Sequence, residues 1–216
     1  MSTHRHLEEL IETMAILRGA QGCRWDREQD HLSLVAYLIE EVHELVDAIE
    51  SDDREGMREE LGDVLYQVLF HADIARVDDT DPFDIDDVAR LVNDKMRRRH
   101  PHVFGDVRVD GVEDIKDNWQ EIKRREKSNR TSVLDGVPRS LTGLARAQAA
   151  VTRAARIDQV PPQEDGTAPT EATAWGRWLL HQVAKAHAQG IDADQALRGA
   201  LRDFEQRVAD AQRPQP

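Results

Sequence analysis

The chain has 216 residues, 33% of them charged and 39% apolar, with a formal net charge of -13. That mixture suits a helix-rich globular protein and excludes a disordered polyelectrolyte. The acidic balance also excludes a general nucleic-acid binder, which needs a basic face, yet leaves room for a phosphate-bearing ligand held through metal ions.

Residues 1–9 are polar and lack the apolar core of a signal peptide. Leu7, Leu10, Ile11, Met14 and Leu17 recur at helical spacing, so the first helix is amphipathic and is expected to stop near Gly19 and Gly22. A loop over residues 22–29 follows. It holds the single cysteine, Cys23, which rules out a disulfide framework within the chain and fits a reducing cytoplasm. It also holds Trp25, expected to plug the end of a core rather than line a ligand pocket.

The second helix is expected over residues 32–50. Val35, Leu38, Val42, Leu45 and Ile49 would face the core, with Glu40 and Glu44 on the far side and Glu41 on the flank. Residues 51–56 form a turn with candidate N-caps, and a third helix is expected over residues 57–75. Over residues 61–70 only Gly62, Asp63 and Gln67 interrupt an apolar run, so this helix is expected to be buried on most sides by its own fold or by a second subunit. Asp63 should then be paired or metal-bound rather than solvated, and Gly62 should admit a neighbouring helix.

Residues three or four apart share a helix face, so Glu41 with Glu44, and Glu60 with Asp63, form two carboxylate pairs. Antiparallel packing brings the pairs together. Four converging carboxylates repel one another unless cations lie between them, and hard divalent ions such as Mg²⁺ take oxygen ligands of this kind. A solvated acidic face is the plainer alternative for Glu40, Glu41 and Glu44.

The acidic loop over residues 78–87 leads into a fourth helix, expected to begin at Pro82 with Asp81 as its cap. Ile85, Val88, Ala89, Val92 and Met96 give its apolar face, and Pro101 ends it. Its last turn carries Lys95, Arg97, Arg98 and Arg99, which either answer the helix dipole or grip phosphates. A fifth helix is expected after Asp110, with Glu113 completing a capping box. On it Trp119 and Lys123 stand one turn apart, as a core tryptophan beside a snorkelling lysine does.

Composition divides the remainder. Residues 1–130 read as one helical domain, and residues 131–173 as a short helix over 141–157 followed by a flexible linker over 160–173. Residues 174–216 read as a truncated, degenerate echo of the first part: Glu60 is matched by Ala174 and Asp63 by Arg177, so the packing face is kept and both acids are lost. No stretch approaches the length of a membrane span, and a cytoplasmic protein without membrane contact is expected.

The acids at Glu40, Glu41, Glu44, Glu60 and Asp63 resemble the pattern of the MazG family of nucleoside triphosphate pyrophosphohydrolases, Glu-Glu-x-x-Glu then Glu-x-x-Asp. Further pieces agree: Gly22-Cys23-x-Trp25-Asp26-x-Glu28-Gln29, Arg99-His100-Pro101-His102-Val103-Phe104, Trp119-x-x-x-Lys123 and Asp135-Gly136-Val137-Pro138-x-Ser140-Leu141. The resemblance spans about residues 5–150 and departs from two-repeat relatives in lacking a second acidic helix. It implies an all-α bundle, an intertwined homodimer, and Mg²⁺-dependent conversion of a nucleoside triphosphate to the monophosphate and pyrophosphate in house-cleaning of the nucleotide pool. By the same resemblance Glu41, Glu44, Glu60 and Asp63 are the Mg²⁺ ligands, with Mn²⁺ as a substitute, and Glu40 is an outer ligand or the base for water. Lys95, Arg99 and Lys123 hold the phosphates, while Trp119 and Trp25 border the nucleoside.

Three other readings stay beside it. A di-iron bundle wants two Glu-x-x-His motifs, and this region has one, Glu40 to His43. A non-catalytic helical interaction protein predicts acids that merely solvate. The same fold also serves hydrolysis of other phosphorylated metabolites.

Overall fold

The computed structural model describes residues 4–128, 131–159, 161–162 and 168–212, and the described residues form helices and turns without a strand. None of these helices is long and apolar enough to cross a membrane. The chain divides into two compact units, Met1–Lys123 and Arg124–Pro216. Residue 130, where a boundary is expected, and residues 160 and 163–167 of the expected linker lie outside the described residues.

In the first unit, α1 (Arg5–Arg18) packs on α4 (Arg54–Arg76), which pairs with α3 (Val35–Glu50). Met14, Leu34, Leu69 and Phe70 form the buried centre, lined by Leu10, Ile11, Tyr66, Ile74 and Ile85. The chain leaves α1 through Gly22, where any Cβ would lie 2.2 Å from the Leu17 carbonyl oxygen, so only glycine fits.

The expected loop over residues 22–29 contains a short helix, α2 (Arg24–Glu28), closed by an Arg24–Glu28 ion pair at 2.8 Å. Five residues are too few for periodicity to announce. Trp25 on α2 is 48% exposed, so it does not plug the core. The start of α3 is later than residue 32 because the Asp30 carboxylate accepts the Leu32 and Ser33 N–H groups, at 2.9 and 2.7 Å, and holds a turn there.

The rotation of α3 also differs from expectation. Val35, Val42 and Ile49 are exposed, at 43%, 42% and 54%, whereas Leu38, Glu41, Leu45 and Ala48 lie on the more covered face. This helix is apolar on two sides, and α4 covers the side that carries Glu41. The turn between them ends at Asp53, whose carboxylate accepts the Glu55 and Gly56 N–H groups and caps α4. Burial on α4 is confined to its second half, where Gln67, Leu69, Phe70, Ala72 and Ala75 are buried; Leu61 and Leu65 before them, and Val68 on the outer side, are exposed. No atom comes within 4 Å of a Cβ built on Gly62, so the close approach expected there is not made within the described residues.

Helix α5 (Ile85–Arg99) begins three residues later than expected, and its cap is Asp84 rather than Asp81. Asp84 accepts the Asp86 and Asp87 N–H groups while Asp87 returns to the Asp84 N–H; Asp78 accepts those of Thr80 and Asp81 upstream. A four-residue helix, α6 (Pro101–Phe104), follows with proline in its first turn. In α7 (Val112–Glu126) the expected capping box is absent: Asp114, not Glu113, receives the Asp110 N–H, and Glu113 pairs with Lys116.

The second unit packs α8 (Gly143–Ala154), extended by a 3₁₀ turn at Ala155–Ile157, against α9 (Ala172–Ala188) and α10 (Ala193–Gln212). Val151, Val183 and His181 are buried there, and Arg153 holds the Asp135 and Gly136 carbonyls at 3.0 Å each.

A histidine pair ties the segment before α3 to α4. His31 Nδ1 lies 2.8 Å from His71 Nδ1, the ring centroids are 5.1 Å apart and the planes differ by 9°. The centroid separation is close to the N–N distance plus two ring radii, so the rings meet edge to edge and share one N–H···N bond. Burial, and then the neighbouring His31, push the His71 imidazole below its ordinary value. The unfolded chain therefore binds the proton more readily, and stability from this group is lost as pH falls below about 6.5. Denaturant titrations between pH 7 and 5 should show a decline for the unaltered protein that is shallower in His71→Gln; equal declines would refute the coupling.

Candidate metal centre

Antiparallel α3 and α4 bring three carboxylates together. One oxygen each from Glu41, Glu60 and Asp63 lies within 4.8 Å of the other two. Glu41 arrives on the covered face of α3, one turn from Leu38 and Leu45, and Glu60 and Asp63 sit one turn apart on α4. Of the other two expected acids, Glu44 lies near enough to Glu60 for its charge to push the Glu60 carboxyl up. Glu40 and Glu44 are both exposed.

The electrostatics are those of an acid cluster lacking a counter-charge. Partial burial, followed by the charges of Asp63, Glu44, Glu60 and Glu40, holds the Glu41 carboxyl above the usual carboxylate range. Desolvation, then Glu44 and Asp63, does the same for Glu60. Glu60 Oε2 is buried and accepts no hydrogen bond. An orphaned carboxylate oxygen among like charges is a setting that a cation satisfies, and an all-oxygen donor set of this kind fits a hard divalent ion. The donors offered do not include the second histidine motif of a di-iron bundle.

The expected phosphate and nucleoside residues fall into separate groups. The Arg99 guanidinium, buried at the end of α5, lies 5.1 Å from the Trp119 ring centroid, and Lys123 Nζ lies 4.9 Å from it. Trp119 is thus flanked by two cations, which the solitary reading of a core tryptophan beside a snorkelling lysine did not include. Lys95 stands one turn before Arg99 and is half-buried. Trp25 meets Tyr37 edge to face, with centroids 5.8 Å apart.

Sequence reasoning passed over three residues. Tyr37, one turn before Glu41, presents its ring beside that of Trp25. Asp26 is buried, with Tyr66 Oη at 3.4 Å from its carboxylate and Arg18 Nη1 at 2.6 Å from its carbonyl, so it fixes α2 to α1 and α4. Gln67 is buried one turn beyond Asp63, and its Oε1 accepts no hydrogen bond. The signal for Gln67 was its place as a polar break in an apolar run; Asp26 stood in a motif already singled out.

Comparison with known proteins gives the family. The MazG nucleotide pyrophosphohydrolase domain matches residues 29–104, which span both acid-bearing helices. An uncharacterised 26.1 kDa protein of Streptomyces cacaoi is 44% identical over 95% of this chain and 82% of its own. A nucleoside triphosphate pyrophosphohydrolase/pyrophosphatase MazG of Thermotoga maritima is 37% identical over 93% of this chain and 83% of its own. A nucleoside triphosphate pyrophosphohydrolase of Escherichia coli is 33% identical over 96% of this chain and 87% of its own.

Proposed function

The chain belongs to the MazG nucleotide pyrophosphohydrolase family, and on that premise we propose that it hydrolyses nucleoside triphosphates to the monophosphate and pyrophosphate in a Mg²⁺-dependent reaction that clears the nucleotide pool. The observation that carries this reading is the meeting of Glu41, Glu60 and Asp63 within 4.8 Å, with Glu60 Oε2 buried and unpartnered.

Glu41, Glu60 and Asp63, with Glu44 beside them, would hold Mg²⁺, or Mn²⁺ in its place. When bound, the ion supplies charge neutralisation at the phosphates and a more acidic water. The chain's own residues do the rest. A water oxygen attacks the α-phosphorus, the bond from that phosphorus to the bridging oxygen breaks, and pyrophosphate departs with the bonding pair. Glu40, exposed at the edge of the cluster, takes the water proton. Lys95, Arg99 and Lys123 meet the triphosphate oxygens, and charge-assisted contacts of this type orient as well as bind. Trp119 borders the nucleoside on one side and Trp25 on another.

Catalysis resides in the N-terminal unit, since Ala174 and Arg177 replace the acids in the C-terminal echo. The exposed apolar side chains Val35, Val42, Ile49, Leu61, Leu65 and Val68 support a homodimer. The single cysteine supports a cytoplasmic location, and the net charge of -13 supports an enzyme that takes free nucleotides rather than nucleic acid.

A panel of ribo- and deoxynucleoside triphosphates incubated with Mg²⁺ tests the reading. Pyrophosphate is expected as the initial product. Orthophosphate as the first product would reject the bond assignment, and no product from any of them would favour a non-catalytic protein or another phosphorylated substrate.

A further inference from the structure

Gln67 is 5% exposed, on the helix that carries Glu60 and Asp63, and its Oε1 has no hydrogen-bond partner. At about 100° per residue, Gln67 lies about 20° from Glu60 and about 40° from Asp63 around the α4 axis, between the two acids. It stands about 6 Å along the axis from Asp63. Helical side chains lean towards the N-terminus and cover the preceding turn, so the amide of Gln67 extends back towards the acid pair.

A buried amide oxygen without a donor costs free energy that an apolar residue of the same size avoids. The neighbouring positions Leu69, Phe70 and Ala72 are apolar and buried, so nothing in the packing asks for an amide here. The missing partner is a donor small enough to reach a covered position. A nucleoside does not fit that description, whereas a water molecule held by a cation among Glu41, Glu60 and Asp63 does, with protons that need acceptors on the protein side.

We propose that Gln67 is a positioning residue of the metal centre, accepting a hydrogen bond from a water bound to the cation and so fixing that water and the ion. The inference rests on the metal-dependent reading above. Groups in this outer position typically change metal affinity by about 10- to 100-fold when removed.

Gln67→Met keeps the length and bulk of the side chain and deletes the amide. In the full chain, with Mn²⁺ alone as the probe and free Mn²⁺ counted by electron paramagnetic resonance, the variant should bind about 10-fold more weakly or worse. Its melting temperature in EDTA should equal or exceed that of the unaltered protein, because an unsatisfied group has gone. At saturating Mg²⁺, kcat should fall more than KM rises. A purely structural glutamine would move stability and leave affinity alone, so Mn²⁺ binding within twofold of the unaltered protein overturns the proposal. If the variant does not fold, the Gln67 side-chain amide resonance of the unaltered protein decides: Mg²⁺ should shift it, and an unmoved signal overturns the proposal. Failure of the unaltered protein to bind Mn²⁺ at all overturns the functional reading and this inference together, whereas binding that Gln67→Met retains removes this inference only.

Discussion

Glu60→Gln is expected to melt at a higher temperature than the unaltered protein in EDTA at pH 7, while losing at least ~100-fold of the pyrophosphohydrolase activity. The two effects share one cause. Glu41 and Glu60 both have carboxyls raised above the ordinary value, by desolvation first and by neighbouring carboxylates second. A raised carboxyl means the folded protein holds the proton more tightly than the unfolded chain does. Its contribution to stability is complete below the unfolded value near 4.5 and is lost as pH rises through the folded one. At pH 7 without metal, the cluster therefore opposes folding. Glutamine at position 60 removes one charge, which relieves the opposition. It also removes a cation ligand, so Mg²⁺, which should raise the melting temperature of the unaltered protein by binding only the folded state, should leave Glu60→Gln almost unmoved. Melting curves by circular dichroism, with EDTA and with Mg²⁺, give all four values. A lower melting temperature for the variant in EDTA, or equal stabilisation of both proteins by Mg²⁺, would show that the acids are not a cation site.

The helices were legible because apolar residues recur at helical spacing over long segments, and the placing of Glu60 and Asp63 on one face because a spacing of three survives any rotation of the helix. The orientation of α3 was not. Its apolar residues lie on two faces, so the pattern admits either as the core side, and packing against α4 selects the one holding Glu41. Caps are ambiguous where aspartates crowd together: Asp78, Asp81 and Asp84 all suit the role, and only in the folded chain does Asp84 close a reciprocal pair with Asp87. Short-range signals failed at α2, which five residues and an Asp26 buried under Tyr66 define jointly. Gln67 was visible as a polar break, but a missing partner is a property of three-dimensional surroundings that no spacing encodes.

Arg18→Met should lower the unfolding free energy by about 3 kcal/mol at neutral pH, because it breaks a covered ion pair from one side. Arg18 ends α1, and its Nε donates to Asp73 Oδ2 at 2.8 Å, with the two side chains only 10% and 11% exposed. Its guanidinium also donates to the Asp26 carbonyl at 2.6 Å and lies 5.1 Å from the Phe70 ring centroid. One side chain thus joins α1, α2 and α4. Without it Asp73 keeps a single cation, Arg76 at 2.9 Å, whose side chain is half exposed and well hydrated. The remaining carboxylate charge, more than the lost contact, carries the cost, so Asp73→Asn added to Arg18→Met should restore part of the stability. Denaturant unfolding of the two single variants and the double variant tests this, and losses that sum to within about 0.5 kcal/mol would show no coupling. The functional consequence follows from which helix is freed. The acids are carried by α3 and α4, whereas α2, held by Asp26, carries Trp25 against Tyr37. If Trp25 borders the nucleoside, loosening α2 should raise KM for the triphosphate more than it lowers kcat, the reverse of the pattern expected when Gln67 is changed.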